Sequence, residues 1–225
     1  DCLLSRGLGD VYKRQENALP LYKEAYQLAL EHKSIELQQV SGIMLIKYLC
    51  GAGYYSESLE YYNKIKPEIA FNPSMQNEVV KSYMELNKPD SARIYLAARL
   101  LSERGDKIVL NCMMAETYIP EGQEDSAFVF LDRAMKSYKE KAKNYQKQGR
   151  EAILPNCFLS PCYLFADLLW KKGKIQQASQ YYMIVEPLMK ERVKTPVRME
   201  LQIKALTNFS SFCRETKQYE KALSL

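Results

Sequence analysis

The chain has 225 residues, of which 47% are hydrophobic and 26% are charged, so it can bury a substantial core and is not disordered. Nine Gly and nine Pro fall below average usage, which excludes collagen-like chains and favours helices over a turn-rich β sandwich or barrel. The net charge of +5, from 32 basic and 27 acidic residues, is too balanced to indicate nucleic acid as the default partner.

The first 15 residues, DCLLSRGLGDVYKRQ, share no pattern with the remainder of the chain. They resemble translated adapter sequence of the kind found at the ends of metagenomic reads, and the chain begins with Asp1 rather than Met. We therefore interpret residues 1–15 as a non-native leader and residues 16–225 as one helical repeat domain. Because a helix is predicted to begin near Tyr219, the sequence is interpreted as a fragment.

A small residue recurs along the chain and marks an internal repeat. These residues, here termed the anchors, are Ala18, Ser58, Ala92, Ala127, Ala178 and Ala222, at spacings of 40, 34, 35, 51 and 44 residues. Gly or Asn stands five residues before four of the anchors, at Gly53, Asn87, Gly122 and Gly173, whereas Lys217 breaks this series. Because Gly and Asn readily adopt the left-handed conformation that ends a helix, these positions predict tight turns between helices.

Apolar residues at fixed distances from the anchors predict a helix on each side of each turn. Twelve residues before the anchors come Ile46, Val80, Ala115, Ala166 and Ser210, and nine residues before them come Leu49, Tyr83, Tyr118, Leu169 and Cys213. These two positions are three residues apart and share a helix face. Four residues after the anchors come Tyr22, Tyr62, Leu96, Leu131 and Tyr182, one turn along a second helix.

The pattern resembles the tetratricopeptide repeat (TPR) family, and residues around two anchors carry the resemblance best. They are Met114, Ala115, Tyr118, Gly122, Ala127, Leu131 and Ala134, followed by Phe165, Ala166, Leu169, Gly173, Ala178 and Tyr182. The resemblance implies an all-α fold, an α-solenoid of about five to six stacked antiparallel helical hairpins, the first and last incomplete. The spacings of 51 and 44 residues predict inserted helical turns. An ordinary helical bundle remains the alternative.

In this family the first helix of each hairpin lines a groove that holds a peptide or helix. By this resemblance, the candidate groove residues are Lys47, Asn77, Lys81, Glu116, Tyr163, Asp167, Trp170, Thr207, Ser211 and Arg214. Tyr163, Asp167 and Trp170 recur on one helix face and are predicted to form an aromatic anchor for a partner. The alternative is that Trp170 covers the packing between hairpins. Asn77 with Lys81 only partly matches the family's carboxylate clamp, which disfavours chaperone-tail binding.

A basic line predicts a second candidate surface between the anchors at 127 and 178. It consists of Lys136, Lys139, Lys143, Lys147 and Arg150, on one face of a helix that is predicted to outrun its repeat by two turns or more. This surface could dock an acidic helix, an anionic ligand or nucleic acid. The alternative is a solvated face, because neighbouring acidic residues dilute the charge and no nucleic-acid recognition motif is present.

Catalytic and metal-binding motifs are absent from the sequence. It contains no G-x-S-x-G, P-loop or H-E-x-x-H motif, and its only histidine is His32. The five cysteines after Cys2 form no C-x-x-C pair, so no metal or cofactor is predicted and the thiols are interpreted as buried and inert. Cys157 and Cys162 are the one pair close enough in sequence to suggest a disulfide. A helical enzyme would need titratable groups around His32 or Asp167.

The predicted function is a non-enzymatic scaffold that binds a protein or peptide in its groove. The irregular, Tyr- and Lys-rich repeats resemble those of bacterial regulators in the Bacteroides group, which implies the sensory or interaction part of a larger signal-transduction protein. The alternative is a helical regulatory domain that binds an anionic ligand or nucleic acid through the basic line. Short apolar runs broken by Lys47 and Asp167 predict no membrane insertion in this region. The partner, compartment and oligomeric state stay open.

Overall fold

A computed structural model describes residues 18–65, 75–102, 105–150, 152–191 and 196–224, and the predicted leader lies outside these ranges. All regular elements of the described residues are helices, so the predicted all-α class is confirmed. They are α1 (18–31), α2 (Ile35–Gly51), α3 (Tyr55–Lys64), α4 (Gln76–Glu85), α5 (Pro89–Leu101), α6 (Lys107–Tyr118), α7 (Glu124–Lys147), a 3₁₀ helix (Asn156–Phe158), α8 (Leu159–Lys171), α9 (Ile175–Lys190), α10 (Pro196–Glu215) and α11 (Tyr219–Ser224). No helix among them is long and apolar enough to cross a membrane.

The turns between paired helices share one backbone geometry, as the positions five residues before the anchors predict. The turn residue has a positive φ at Gly53, Asn87, Gly122, Gly173 and Lys217. At each turn the next residue's N–H donates to the carbonyl five residues earlier, which satisfies a carbonyl at the helix end. Lys217 therefore departs from the series in residue type but adopts the same conformation, with φ at 61°.

The anchors begin the second helix of each pair. Each anchor from position 58 onward donates its backbone N–H to the carbonyl four residues before it. Ser58, Ala92, Ala127 and Ala178 are at most 1% exposed, so a larger side chain would collide with the facing helix. The Ser58 hydroxyl donates to the Ile46 carbonyl at 3.2 Å and joins the two helices of its pair. The anchor positions thus mark close helix–helix contacts.

The chain divides into two compact units, Asp1–Tyr95 (unit 1) and Leu96–Leu225 (unit 2). In unit 1, α2 and α3 form a hairpin, and α4 packs against both helices. Its described core comprises two clusters, one of Ile46, Ile65 and Met75 and one of Tyr26, Leu45 and Leu49. Helix α1 joins the second cluster, because the Tyr26 ring meets the Tyr61 ring edge-on with centroids 5.9 Å apart.

Unit 2 contains three further hairpins, α6 with α7, α8 with α9 and α10 with α11. Helix α8 lies between α6 and α10 and contacts both. One continuous core runs through these hairpins and is rich in aromatic rings: Tyr182 stacks on Phe209 with centroids 4.7 Å apart, and Phe212 lies 5.1 Å from Tyr182. First helices of successive hairpins therefore lie side by side, which is the arrangement that the repeat predicts.

Helix α7 has 24 residues, which confirms the predicted extension beyond its repeat. It ends at Lys147 because the chain turns through Gly149, whose φ is 67°. The chain then returns along the helix, where the Tyr138 hydroxyl donates to the Ala152 carbonyl at 3.2 Å. The Tyr138 ring meets Phe158 edge-on with centroids 5.9 Å apart. The prediction that Arg150 belongs to the basic line of this helix is therefore wrong, because Arg150 lies past the end of the helix.

Candidate functional site

The predicted groove residues lie on the first helices of the hairpins and differ in their exposure and contacts. One repeat position, eleven residues before the anchor, is central: it holds Lys47, Lys81, Glu116, Asp167 and Ser211. In unit 1 this position is basic, and in unit 2 it carries two carboxylic acids and a serine. We term it the central groove position and describe each unit separately.

In unit 1 the central groove position presents two exposed lysines. Lys47 on α2 and Lys81 on α4 are both exposed, as is Asn77 one turn before Lys81. The two helices contact each other, and the lysines occupy the equivalent position in each. The Lys81 ammonium lies 6.0 Å from the centroid of the Tyr55 ring, a cation–π contact that leaves its N–H donors available. Unit 1 thus carries two exposed cations at the same repeat position of two first helices in contact.

An apolar stripe precedes Lys47 on the open face of α2. Leu37, Val40 and Met44 lie at i, i+3 and i+7 and are 53%, 57% and 47% exposed. Large apolar side chains at helical spacing are normally turned to the core, so an exposed row of three is typical of a surface that contacts another molecule. These three residues are not among the predicted groove residues, because the interrupted apolar pattern of α2 does not show which of its faces is covered.

In unit 2 the predicted group of Tyr163, Asp167 and Trp170 is not an open binding face. Tyr163 is only 6% exposed and belongs to the core, so the prediction that it faces outward is wrong. Trp170 is half-buried, and its ring meets Phe212 of α10 edge-on with centroids 5.6 Å apart. The alternative for Trp170, that it covers the packing between hairpins, is therefore the one that its contacts support.

Asp167 joins three helices through its carboxylate. It accepts hydrogen bonds from the Tyr182 hydroxyl on α9 and from the Asn208 amide on α10. Burial raises the pKa of Asp167, while these two hydrogen bonds and nearby Lys171 oppose that rise. Burial and the Asp167 carboxylate both raise the pKa of Tyr182, which therefore stays a hydrogen-bond donor. These groups act as an interhelical connection rather than as a free binding surface.

Glu116 is the other acid of the central groove position. It is half-buried on α6, and burial raises its pKa to about 7 although a hydrogen bond with Ser160 of α8 acts in the opposite direction. This carboxyl therefore titrates near neutral pH. The sequence pattern does not identify the partners of these two acids, which are Ser160, Tyr182 and Asn208. Only the packing of α8 against its neighbouring helices brings these side chains close to Glu116 and Asp167.

Two of the surface cavities in the described part of unit 2 bear on the groove prediction. One of about 300 Å³ is lined by the predicted groove residue Arg214 together with Ser210, Ser211, Tyr219, Ala222 and Leu223. The other, of about 330 Å³, lies among α7, α8 and α9, and Phe128 and Tyr181 are among its lining residues. At its edge Glu124 pairs with Lys172 at 3.1 Å and with Lys174, and these lysines lower the pKa of the Glu124 carboxyl. Most of the residues that line this second cavity come from the second helices α7 and α9, which the groove prediction does not cover.

The basic line of α7 lies at the surface. Lys136, Lys139, Lys143 and Lys147 are all exposed, and their spacing places them on one side of the helix. Lys136 pairs with Asp132 at 2.7 Å, so part of the positive charge is compensated within the helix. Arg150 is also exposed but lies beyond the helix end, as described above. The uncompensated part of the line is thus the last two turns of α7.

Other chemistry-bearing groups lie apart from these surfaces. His32 is exposed after α1, where its backbone N–H donates to the Leu28 carbonyl. Among the described residues, no group of three or more His, Cys, Asp or Glu side chains is arranged to hold a metal ion.

Residues 159–183 match the family model described as tetratricopeptide repeat. The matched segment covers α8, the turn at Gly173 and the first half of α9, which is the hairpin that holds Asp167 and Tyr182. No curated protein sequence matches the chain. Tetratricopeptide repeats generally mediate protein–protein interaction, and all-helical folds of this type are typically scaffolds without enzymatic activity.

Proposed function

We propose that this chain is a non-enzymatic scaffold that binds an acidic segment of a protein partner on the first helices of unit 1. The observation that carries the proposal is the exposure of Lys47 and Lys81 at one repeat position of two helices in contact. Two cations held on neighbouring rigid helices can each bind a carboxylate, and charge-assisted hydrogen bonds are among the stronger polar contacts.

Two neighbouring features extend this surface. Asn77 lies one turn from Lys81 and offers both a donor and an acceptor to a peptide backbone. The exposed stripe of Leu37, Val40 and Met44 adjoins Lys47 and can cover apolar side chains of the partner. The partner that fits this combination is an amphipathic segment with acidic residues beside apolar ones.

The experiment is a selection of random peptides displayed on phage against the immobilised 225-residue chain. Selected peptides should be enriched in Asp and Glu, and Lys47→Glu or Lys81→Glu should each weaken their binding about tenfold, since each reversal removes a charged contact. Lys64→Glu is the matched control, because Lys64 is an exposed lysine of α3 outside this surface. Peptides that bind all three variants equally well would contradict the proposed surface.

The basic line of α7 supports the second candidate, a regulatory domain that binds an anionic ligand or nucleic acid. Its support is the exposure of Lys139, Lys143 and Lys147 on the last two turns of the helix. Charge-reversed variants distinguish the two candidates when they are tested with the same peptides and with a single-stranded oligonucleotide. A salt titration alone does not, because both surfaces bind through lysines and lose affinity as salt rises. Loss of binding in Lys139→Glu/Lys143→Glu, with binding kept in Lys47→Glu and Lys81→Glu, would favour the second candidate over the first.

We also propose that the chain belongs to a larger regulatory protein. The resemblance to Bacteroides-group repeat regulators supports a role as the interaction part of a larger bacterial regulatory protein. Sequencing the complete gene tests this role, because the gene of such a regulator would also encode an output module such as a DNA-binding or kinase domain.

A further inference from the structure

The cavity among α7, α8 and α9 of unit 2 has aromatic walls and a sheltered apolar floor. Its volume is about 330 Å³. Phe165 and Leu169 of α8 line its buried side and are 2% and 1% exposed. Phe128 of α7 is 49% exposed, and Tyr181 of α9 is partly buried. The Tyr181 ring meets the Phe165 ring at 89° with centroids 4.9 Å apart, which holds Tyr181 in place. The cavity therefore offers ring surface to a ligand from both α7 and α9.

The charged residues around this cavity are not equivalent. Glu124 binds Lys172 at 3.1 Å and also binds Lys174, and Lys172 donates to the Gly122 carbonyl at 3.2 Å. Asp125 is exposed, and within the described ranges no cation forms an ion pair with it. The two lysines are therefore already bound, and the Asp125 carboxylate is the charged group of the lining that is available to a ligand.

Two glutamines add hydrogen-bond acceptors on the α9 side of the cavity. Gln177 and Gln180 both line it, and both are exposed. They are three residues apart and therefore share a helix face. Each amide oxygen can accept a hydrogen bond, so the lining presents a carboxylate and two amide oxygens beside aromatic rings. This set suits a ligand that combines a positive charge, several N–H donors and a flat face.

We propose that this cavity binds an arginine side chain of a protein partner. A guanidinium group is planar, carries five N–H donors and stacks on aromatic rings. Its N–H groups can pair with the Asp125 carboxylate and with the amide oxygen of Gln177 or Gln180, while its face covers the exposed Phe128 ring. A lysine ammonium fits less well, because it is more strongly hydrated and has no flat face.

Asp125 has a second role that requires no ligand. It lies in the first turn of α7, where an acid interacts favourably with the helix dipole. Loss of that interaction would change stability but would not change the choice of ligand, so binding is the measurement that separates the two roles. The inference concerns unit 2 and does not depend on the proposed function of unit 1, which binds acidic segments.

The experiment titrates the 225-residue chain with the peptide acetyl-Gly-Arg-Gly-amide and follows binding by saturation-transfer difference NMR. A single side chain should bind with a dissociation constant on the order of 1 mM. The same peptide with citrulline, which keeps the shape of arginine without its charge, should bind about tenfold more weakly. The corresponding lysine peptide should bind about threefold more weakly.

Two variants and two matched controls locate the binding. Asp125→Asn and Phe128→Ala should each weaken binding of the arginine peptide about fivefold. Glu140→Gln removes an exposed acid about four turns further along α7, and Val129→Ala shortens an exposed apolar side chain that does not line the cavity. Both controls should bind the peptide as the wild type does. All four side chains are exposed, so the variants should fold, which circular dichroism checks.

Four outcomes would overturn the proposal. They are the absence of saturable binding of the arginine peptide, equal affinity for the citrulline peptide, equal affinity for the lysine peptide, and cavity variants that bind no more weakly than their controls.

Discussion

The central groove position shows opposite behaviour in the two units. In unit 1 it holds Lys47 and Lys81, which are exposed, whereas in unit 2 it holds Glu116 and Asp167, which are half-buried, and Asp167 accepts hydrogen bonds from two neighbouring helices. Long lysine side chains carry their charge away from the helix surface, while short carboxylates stay near the backbone and meet the next helix. The repeat therefore determines which helix face a residue occupies, and side-chain length and neighbours determine its exposure.

The largest effect should come from removing the interhelical carboxylate. Asp167→Ala leaves the Tyr182 hydroxyl and the Asn208 amide without their acceptor, and we expect the free energy of unfolding to fall by about 3 kcal/mol. Asp167→Asn keeps one acceptor oxygen and should lose about 1 kcal/mol. Urea unfolding followed by circular dichroism measures both. Equal stability of Asp167→Ala and the wild type would show that these contacts do not hold the helices.

The next effect concerns the pH dependence that Glu116 introduces. Its folded-state pKa is about 7, above the usual value of 4.5, so the unfolded chain releases this proton first and stability falls as pH rises from about 4.5 to about 7. Glu116→Gln has no such proton. We therefore expect its stability relative to the wild type to increase by up to about 3 kcal/mol between pH 4 and pH 8. Urea unfolding at the two pH values measures this difference, and an unchanged difference would contradict the raised pKa.

The smallest effect is expected at the same position in unit 1. Lys47→Ala and Lys81→Ala should each change the free energy of unfolding by less than about 0.5 kcal/mol, because both side chains are exposed. The same urea measurement applies. A loss above about 1 kcal/mol would mean that these lysines hold the fold, as Asp167 does, and the contrast between the units would disappear.

Much of the fold follows from local sequence. The small anchors and the Gly or Asn five residues before them predict the hairpins, because helix pairs need close contacts and left-handed turn residues. Lys217 shows the limit of residue type as a signal: it takes the same φ without being Gly or Asn, since the two helices that flank it impose the turn. The helical spacing places Arg150 on α7, whereas in the structure the chain turns at Gly149 and the helix ends before Arg150.

The site was less predictable than the fold. A helical period indicates that Tyr163, Asp167 and Trp170 share a face, but only the packing of α10 against α8 shows that this face is covered. Contacts between repeats of irregular length are therefore where a sequence pattern gives least guidance.

Trp170 makes tryptophan fluorescence a probe of unit 2 only. It is the single tryptophan among the 225 residues and lies in unit 2 against Phe212, so tryptophan emission reports the surroundings of α8 and α10 alone. Circular dichroism, by contrast, sees the helices of both units. Coincident transitions by the two methods would mean that the units unfold as one cooperative structure, while separate transitions would resolve their individual stabilities without any introduced label.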